Sequence, residues 1–358
     1  MFNKKVSIFP GNYKANLQNA IFDKKKINPW MDWVGIFIPL KKYLNKRKID
    51  ICTYDKLTEE SSYRYVYFDL PYPWDLSNFN AWKLILTNRD KNILICHEPP
   101  IIIPFNYMKM FHFFFSKIYT WDDKIVDNRK YFIFYRPQYK LSWNISYQKF
   151  KSKKKFGNKK FLVLINSNKS PFFPFKILSP FGKELYSKRI KAIEFFEQNI
   201  PDNFFLYGKG WNKPKKYNLT EKLFGFKKYF TYKGEIKNKI EKLADFKYSI
   251  CFENLTDVDG YLTEKIFDCF KARCVPIYWG ASNIEKYIPK NCFIDFRDFD
   301  LNYEKLLNFL VSIDEKKYGK YIKNIEKLLI NKKFVNQWFE VGFINFFYNE
   351  ILDLKRYD

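Results

Sequence analysis

Tyr248-Ser249-Ile250-Cys251-Phe252-Glu253-Asn254, then after four residues Asp259-Gly260-Tyr261-Leu262-Thr263-Glu264-Lys265-Ile266-Phe267-Asp268, decides how this chain reads. A short apolar run without alternation is the pattern of a strand buried on both faces of a parallel sheet. It ends at Phe252, and a polar loop follows. Thr263 is a helix N-cap, with Ile266, Phe267 and Phe270 on the buried side of the helix it opens. Glu264 and Lys265 then fall in the first turn. Glutamate suits the positive end of a helix dipole, whereas lysine there is unfavourable unless it faces an anion. A phosphate at that helix end would resolve the conflict, because backbone amides and the ammonium would converge on it. From spacing alone, a capped helix with a solvated Glu-Lys pair accounts for the residues equally well.

The next segment extends the pattern. Arg273-Cys274-Val275-Pro276-Ile277-Tyr278-Trp279-Gly280-Ala281 is a buried strand ending in a glycine turn, and Ser282–Pro289 follows as a short capped helix. This strand–helix–strand–helix unit suits nucleotide binding. Tyr278-Trp279 can stack on a base or sugar, although most such pairs are core. Further strands are expected at Val6–Phe9, Ile49–Cys52, Tyr65–Phe68, Asn92–Cys96, Lys117–Thr120, Phe161–Ile165, Phe204–Tyr207 and Cys292–Ile294. Helices are expected at Ser187–Gln198, Lys237–Ala244, Thr263–Ala272 and Tyr303–Val311. The class is α/β. Six lysines within Lys151–Lys160 mark an exposed linker between halves of comparable length. The expected architecture is two Rossmann-like domains facing across a cleft: an N-terminal domain over 1–155, a C-terminal domain over 156–340 and a helical tail over 341–358. The aromatic tail from Phe334 to Tyr348 reads as a packing helix, with a surface-seeking helix as the alternative.

At this point the sequence resembles a known family. Cys251–Asn254, Gly260–Lys265, Val275–Ala281 and Ile288–Asp295 are similar to the donor-binding signature of the inverting α1,3/α1,4-fucosyltransferases. Asn166-Ser167-Asn168, Glu184–Arg189 and Tyr207–Trp211 add to it, and His97-Glu98-Pro99-Pro100 is the one resembling segment of the first half. The resemblance implies a GT-B fold and transfer of L-fucose from GDP-fucose to O3 of a GlcNAc or Glc unit of a glycan, with inversion. It implies Glu98 as catalytic base and Arg189 with Lys265 against the donor pyrophosphate. Glu264, Tyr261, Asn254, Glu253, Asn168 and Ser167 complete the implied donor-binding set. Without the resemblance, Glu98 is an ordinary loop carboxylate. GDP-fucose enters as substrate, and no cofactor or metal is expected. Asp257-Val258-Asp259 superficially matches an Asp-x-Asp metal motif, but Arg189 and Lys265 offer the alternative way to neutralise a leaving diphosphate.

Composition narrows the rest. The chain has 358 residues, 47% hydrophobic and 21% aromatic, which supports two sizeable cores. Two histidines in the whole chain nearly exclude a His-built metal site. The six cysteines form no Cys-x-x-Cys pair and mostly sit in apolar runs, as in a reduced cytoplasmic protein. No stretch reaches the roughly 18 apolar residues of a spanning helix. The net charge is +26, and it is unevenly placed. Asn128–Lys183 holds 14 Lys+Arg and no acid, and Asn203–Lys233 holds 8 Lys against Glu221 alone. Such a field attracts an anionic donor, and the linker lysines Lys153, Lys154 and Lys155 can touch anionic lipid on the inner face of the membrane. Two alternatives stay open: a GT-B transferase for another nucleotide sugar, and a basic nucleic-acid-binding protein, for which no recognition motif is visible.

Overall fold

Alternation within the strands explains the architecture. Along β3 (Arg64–Phe68), Val66 and Phe68 join one hydrophobic core while Tyr65 and Tyr67 join another. The same division holds for β1 (Lys4–Phe9), where Val6 and Ile8 oppose Phe9, and for β4 (Asn92–Cys96), where Ile93 and Ile95 oppose Leu94 and Cys96. A strand apolar on both faces needs cover on both, which is the condition for a parallel sheet. With β2 (Ile49–Thr53), β5 (Lys117–Thr120) and β6 (Tyr131–Ile133), these strands form a six-stranded parallel sheet in the order β2-β1-β3-β4-β5-β6. The computed structural model describes residues 4–27, 29–57, 62–139, 154–170, 183–214 and 219–354.

A second parallel sheet follows the same logic. Its strands are β7 (Lys160–Ile165), β9 (Phe204–Tyr207), β10 (Phe246–Phe252), β12 (Val275–Trp279) and β13 (Ile294–Asp295), in the order β13-β12-β10-β7-β9. Two short strands, β8 (Lys183–Glu184) and β11 (Leu255–Thr256), pair antiparallel beside it. Helix Tyr186–Asn199 lays Ala192, Ile193 and Phe196 into the core with Leu162, Leu164, Phe204 and Ile250. Helix Glu264–Ala272 packs against β10 and β12. In each sheet the second strand in sequence flanks the first on one side and the third flanks it on the other. Chain direction across the sheet therefore reverses between β1 and β3, and again between β7 and β10. Ligands of such sheets bind at the carboxyl ends of the strands bordering that reversal.

The expected strands and helices recur within a few residues, and Tyr303–Val311 coincides. The division of the chain differs from the expected one. Met1–Leu141 with Lys332–Asp358 form one unit, and Ser142–Asn331 form the other. The chain thus re-enters the first unit at Lys332 rather than running on in the second to 340. The aromatic tail packs: Phe343, Phe347, Ile351 and Leu352 are buried in the core formed by Val6, Ile8, Phe37 and Ile95. Trp338 O accepts from Gln138 N at 2.6 Å, and Asp353 pairs with Lys117 and Arg64 at 2.7 and 3.0 Å. Within the lysine run Lys154, Lys155 and Lys160 are exposed, as expected, and Lys159 is the exception among the described residues. Lys151–Lys153 lie outside the described residues, but Lys159 is buried and donates to Ala244 O, Phe246 O and Arg273 O at 2.7–3.3 Å. Three carbonyl acceptors satisfy the ammonium, which is why a lysine can be buried there. Burial pulls its pKa down from the usual lysine value.

All six cysteines are free and buried. Among the described residues no helix is long and apolar enough to cross a membrane. Phe347, with no exposure, joins the tail to the first core. Phe347→Ala should cost about 3–5 kcal/mol of unfolding free energy. A urea titration showing a loss below about 1 kcal/mol would mean that the tail adds little to that core.

Candidate functional site

The second unit builds its site at the carboxyl ends of β7 and β10. Glu253 leaves β10 with its N–H bonded to Trp279 O at 2.8 Å, so its side chain stays inside the unit, fully buried. Its two carboxylate oxygens are both used. Oε1 accepts from Thr263 N at 2.8 Å, and Oε2 accepts from Thr263 Oγ1 at 2.7 Å and from Lys265 Nζ at 3.0 Å. A Cβ on Gly280 would run into Glu253 Cγ and the Tyr278 hydroxyl, so the glycine turn after β12 makes room for the carboxylate. Thr263 is the N-cap of helix Glu264–Ala272, as its position predicts, with its hydroxyl 3.5 Å from Lys265 N. The anion that the first-turn lysine needs is thus supplied by the chain itself. Lys265 Nζ also donates to Thr263 Oγ1 at 3.1 Å, leaving one of its three hydrogens beyond these partners.

Arg189 approaches the same residue from helix Tyr186–Asn199. Its Nη2 donates to Phe252 O at 2.9 Å, to Glu253 O, and to Asn254 Oδ1 at 2.9 Å. Its Nε is buried with no partner. Burial draws the guanidinium down from its ordinary value, while Tyr186 and Glu253 push back, and it stays a cation. Glu253 therefore brings two cations together, Arg189 through its carbonyl and Lys265 through its carboxylate. Both cations lie against Glu253 by the first turn of a helix, where backbone amides also point. On the β7 side, Asn168 Nδ2 donates to Gly210 O at 3.1 Å, and its buried Oδ1 has no partner. Gly208, at φ 131°, lies so close to Asn166 that a Cβ would overlap the Asn166 carbonyl, and this closeness holds the ends of β7 and β9 together.

The residues expected to touch a donor separate into two layers. Arg189, Lys265, Asn168, Ser167 and the exposed Glu264 border the carboxyl ends of the strands. Glu253 and Tyr261 lie beneath them. Tyr261 is fully buried, and its hydroxyl accepts from Asn254 Nδ2 at 3.3 Å. Asn254 is committed to Arg189 through its Oδ1, and its carbonyl accepts from Leu185 N at 3.0 Å. The side chains of Glu253 and Tyr261 are bonded within the unit, to Thr263, Lys265 and Asn254. Among the described residues no group of three or more His, Cys, Asp or Glu is placed to hold a metal ion, and Asp257 pairs with Lys183 at 3.8 Å.

The first unit carries Glu98 at the carboxyl end of β4. Its side chain is 30% exposed, with Oε1 3.6 Å from His97 Nδ1 and 3.9 Å from Arg136 Nη2. Its backbone is held at both ends, N donating to Asp69 Oδ1 at 2.8 Å and O accepting from Tyr107 OH at 2.9 Å. Asp69, Asn106 and Arg136 were not singled out by sequence reasoning, and His97 entered only as part of the segment His97–Pro100. The only signal was the position of Asp69 just after a buried strand, and an aspartate there is ordinarily a turn residue.

With this geometry in view, comparison with known proteins is informative. Residues 187–343 match the model of the glycosyltransferase family 10 (fucosyltransferase) C-terminal domain, which bears out the resemblance drawn from the segments between Cys251 and Asp295. An alpha-(1,3)-fucosyltransferase of Helicobacter pylori is 37% identical over 75 residues, covering 21% of this chain and 15% of that protein. A 4-galactosyl-N-acetylglucosaminide 3-alpha-L-fucosyltransferase 9 of Mus musculus is 35% identical over 114 residues, covering 29% of this chain and 31% of that protein. The chain thus spans less than a third of the length of either relative. In fold it is similar to an alpha1,3-fucosyltransferase solved with GDP (TM-score 0.54, 17% identity, 98% of this chain and 90% of that one). It is similar to the same degree to an alpha-glucosyltransferase solved with UDP and DNA (TM-score 0.54, 10% identity, 98% of this chain and 100% of that one). The fold is GT-B.

Removing Glu253 should show what it holds. Glu253→Ala leaves a buried lysine and two Thr263 donors without their acceptor, and about 3–5 kcal/mol of stability should go with it. Pairing Lys265→Met with Glu253→Gln should recover part of that loss in a denaturant titration. Strictly additive losses would show that the two side chains do not interact.

Proposed function

We propose that this chain, whose residues 187–343 carry the C-terminal domain of the family 10 fucosyltransferases, transfers L-fucose from GDP-fucose to a hydroxyl of a glycan acceptor. The observation that carries the reading is the Arg189–Glu253–Lys265 cluster at the β7/β10 reversal, inside or bordering the matched segment, with an unpartnered guanidinium nitrogen in it. A nucleoside diphosphate departs with growing negative charge. Fixed cations and a helix N-terminus stabilise that charge without having to reorganise during the reaction. The reading is metal-independent because Arg189 and Lys265 supply the positive charge.

In the inverting course, the acceptor oxygen attacks the anomeric carbon on the face opposite GDP. The carbon–oxygen bond to GDP breaks, GDP leaves with the electron pair, and Glu98 takes the acceptor proton. The acceptor position proposed is O3 of GlcNAc or Glc, as the fucosyltransferase resemblance implies. GDP-fucose should bind the purified chain at least about tenfold more tightly than GDP-mannose or UDP-glucose in calorimetric titrations. Arg189→Lys should lose most of that affinity, since lysine offers one point charge where arginine offers a planar fork. Glu98→Gln should lower kcat by about 10²–10⁴-fold with donor binding kept. Activity should survive chelation of divalent ions, and linkage analysis of the product reads the position and the anomer. Tighter binding of UDP-glucose would favour the reading as a GT-B transferase of another nucleotide sugar, and activity lost on chelation would overturn metal independence.

A peripheral contact with anionic lipid is supported by a surface other than the linker. Lys153 lies outside the described residues, and Lys154 is paired with Asp245 at 2.7 Å. Leu223, Phe224 and Phe230, by contrast, are 67%, 84% and 67% exposed among the exposed lysines Lys222 and Lys228. Apolar side chains beside lysines are the composition that partitions to a charged membrane interface. The chain should sediment with phosphatidylserine vesicles and not with phosphatidylcholine vesicles, and Phe224→Ser should weaken that binding. Equal recovery with both lipids would remove this contact.

A further inference from the structure

Asp69 is the least expected titratable group of the first unit. It follows β3 at the carboxyl end of the sheet, in the left-handed region at φ 68°, and it is only 3% exposed. One oxygen takes three donors: Oδ1 accepts from His97 N at 2.7 Å, Glu98 N at 2.8 Å and Asn106 Nδ2 at 2.6 Å. Its own N–H is bonded to Ile95 O at 2.9 Å, so the carboxylate cannot drift from the end of β4. The nearest cationic candidate is His97 Nδ1, 3.9 Å from Oδ2, which is too far for a hydrogen bond. The titratable groups that face it are Cys96, His97 and Glu98, with Arg136 beyond them holding His97 O at 2.9 Å. Burial, and next Glu98, push the Asp69 carboxyl up to about 7. A group so raised binds more protons folded than unfolded. Its contribution to stability is therefore full below the ordinary carboxyl pKa and is lost as the pH rises towards 7.

The fold thus keeps a carboxylate that is costly to ionise, and uses it to grip two consecutive peptide N–H groups, the second being that of Glu98. On its other side Glu98 is fixed by Tyr107 through its carbonyl, and His97 is fixed by stacking on Trp33 at 4.3 Å between ring centroids. Burying a carboxylate whose nearest cationic candidate stands beyond hydrogen-bond distance is unfavourable, and such sites occur where function needs the geometry. We infer that Asp69 is a positioning residue for fucosyl transfer: by gripping the N–H groups of His97 and Glu98 it fixes the direction in which Glu98 leaves β4. This rests on the reading of Glu98 as the base.

Three variants separate the two ideas. Asp69→Ala removes the grip, and kcat should fall by about 10- to 100-fold while KM for GDP-fucose changes less than about twofold. Asp69→Asn keeps an Oδ1 acceptor for the three donors and removes only the charge. Most of kcat should return, because the grip on the Glu98 amide is kept. Asp69→Asn should also be more stable than the parent at pH 8, with the gap closing as the pH falls towards 4. Glu98→Gln is the control. If Glu98→Gln keeps its kcat, the base reading fails. If it is inactive while Asp69→Asn fails to restore kcat, or Asp69→Ala keeps parental kcat, the positioning role alone is overturned. Should Asp69→Ala not fold, Asp69→Glu decides, since it displaces the acceptor by one methylene: kcat should fall at least about tenfold, and parental kcat would overturn the role.

Discussion

The carboxylate of Glu253, sealed from solvent at the end of β10, takes two donors from Thr263 and the ammonium of Lys265, while its carbonyl takes Arg189. The arrangement at the carboxyl end of β10 depends on this one residue. It sets where helix Glu264–Ala272 begins, because its oxygens capture the N-cap before the helix starts. It makes a first-turn lysine tolerable, and it places that lysine and a buried arginine side by side. Gly280 is required by the same geometry, since any side chain there would occupy the space of the glutamate.

The first unit meets the mirror problem. There the group to be fixed is an acid, so the holding group carries negative charge and grips the backbone rather than the side chain. Asp69 receives the amides of His97 and Glu98 and leaves the Glu98 carboxylate partly open to solvent. One unit collects cations around a buried anion and so suits an anionic ligand. The other sets a carboxylate beside a carboxylate and so favours uptake of a proton. Both sit at the carboxyl ends of strands flanking a reversal in the sheet, the position that parallel sheets repeatedly use.

Much of this was legible in the residues. Short apolar runs gave the strands, since a parallel sheet writes its burial directly into composition, and Thr263 announced its helix. What was hidden depended on pairing across long sequence separations. Lys159 looks like one more solvated lysine in a basic run, and only the convergence of Ala244, Phe246 and Arg273 carbonyls buries it. Glu253 and Tyr261 fall among residues of a donor-binding signature, yet their side chains point inward, a distinction that neighbouring positions on a loop do not encode. Asp69 was hidden for the same reason, because its partners lie 28 to 37 residues away. The boundary at Leu141 and the return at Lys332 carry no local mark, because they are set by which core the tail aromatics enter.

That return has a consequence for how the chain is made. A ribosome delivers the first 141 residues early, but one face of their sheet waits for Phe343, Phe347, Ile351 and Leu352. The intervening unit, Ser142–Asn331, is complete in sequence before those residues emerge, so it can close first although it begins second. During the interval the nascent first unit presents an uncovered apolar surface to the cell. Its last step is then the docking of Phe343, Phe347, Ile351 and Leu352 onto a preformed half, and chaperone dependence should concentrate in that window of synthesis.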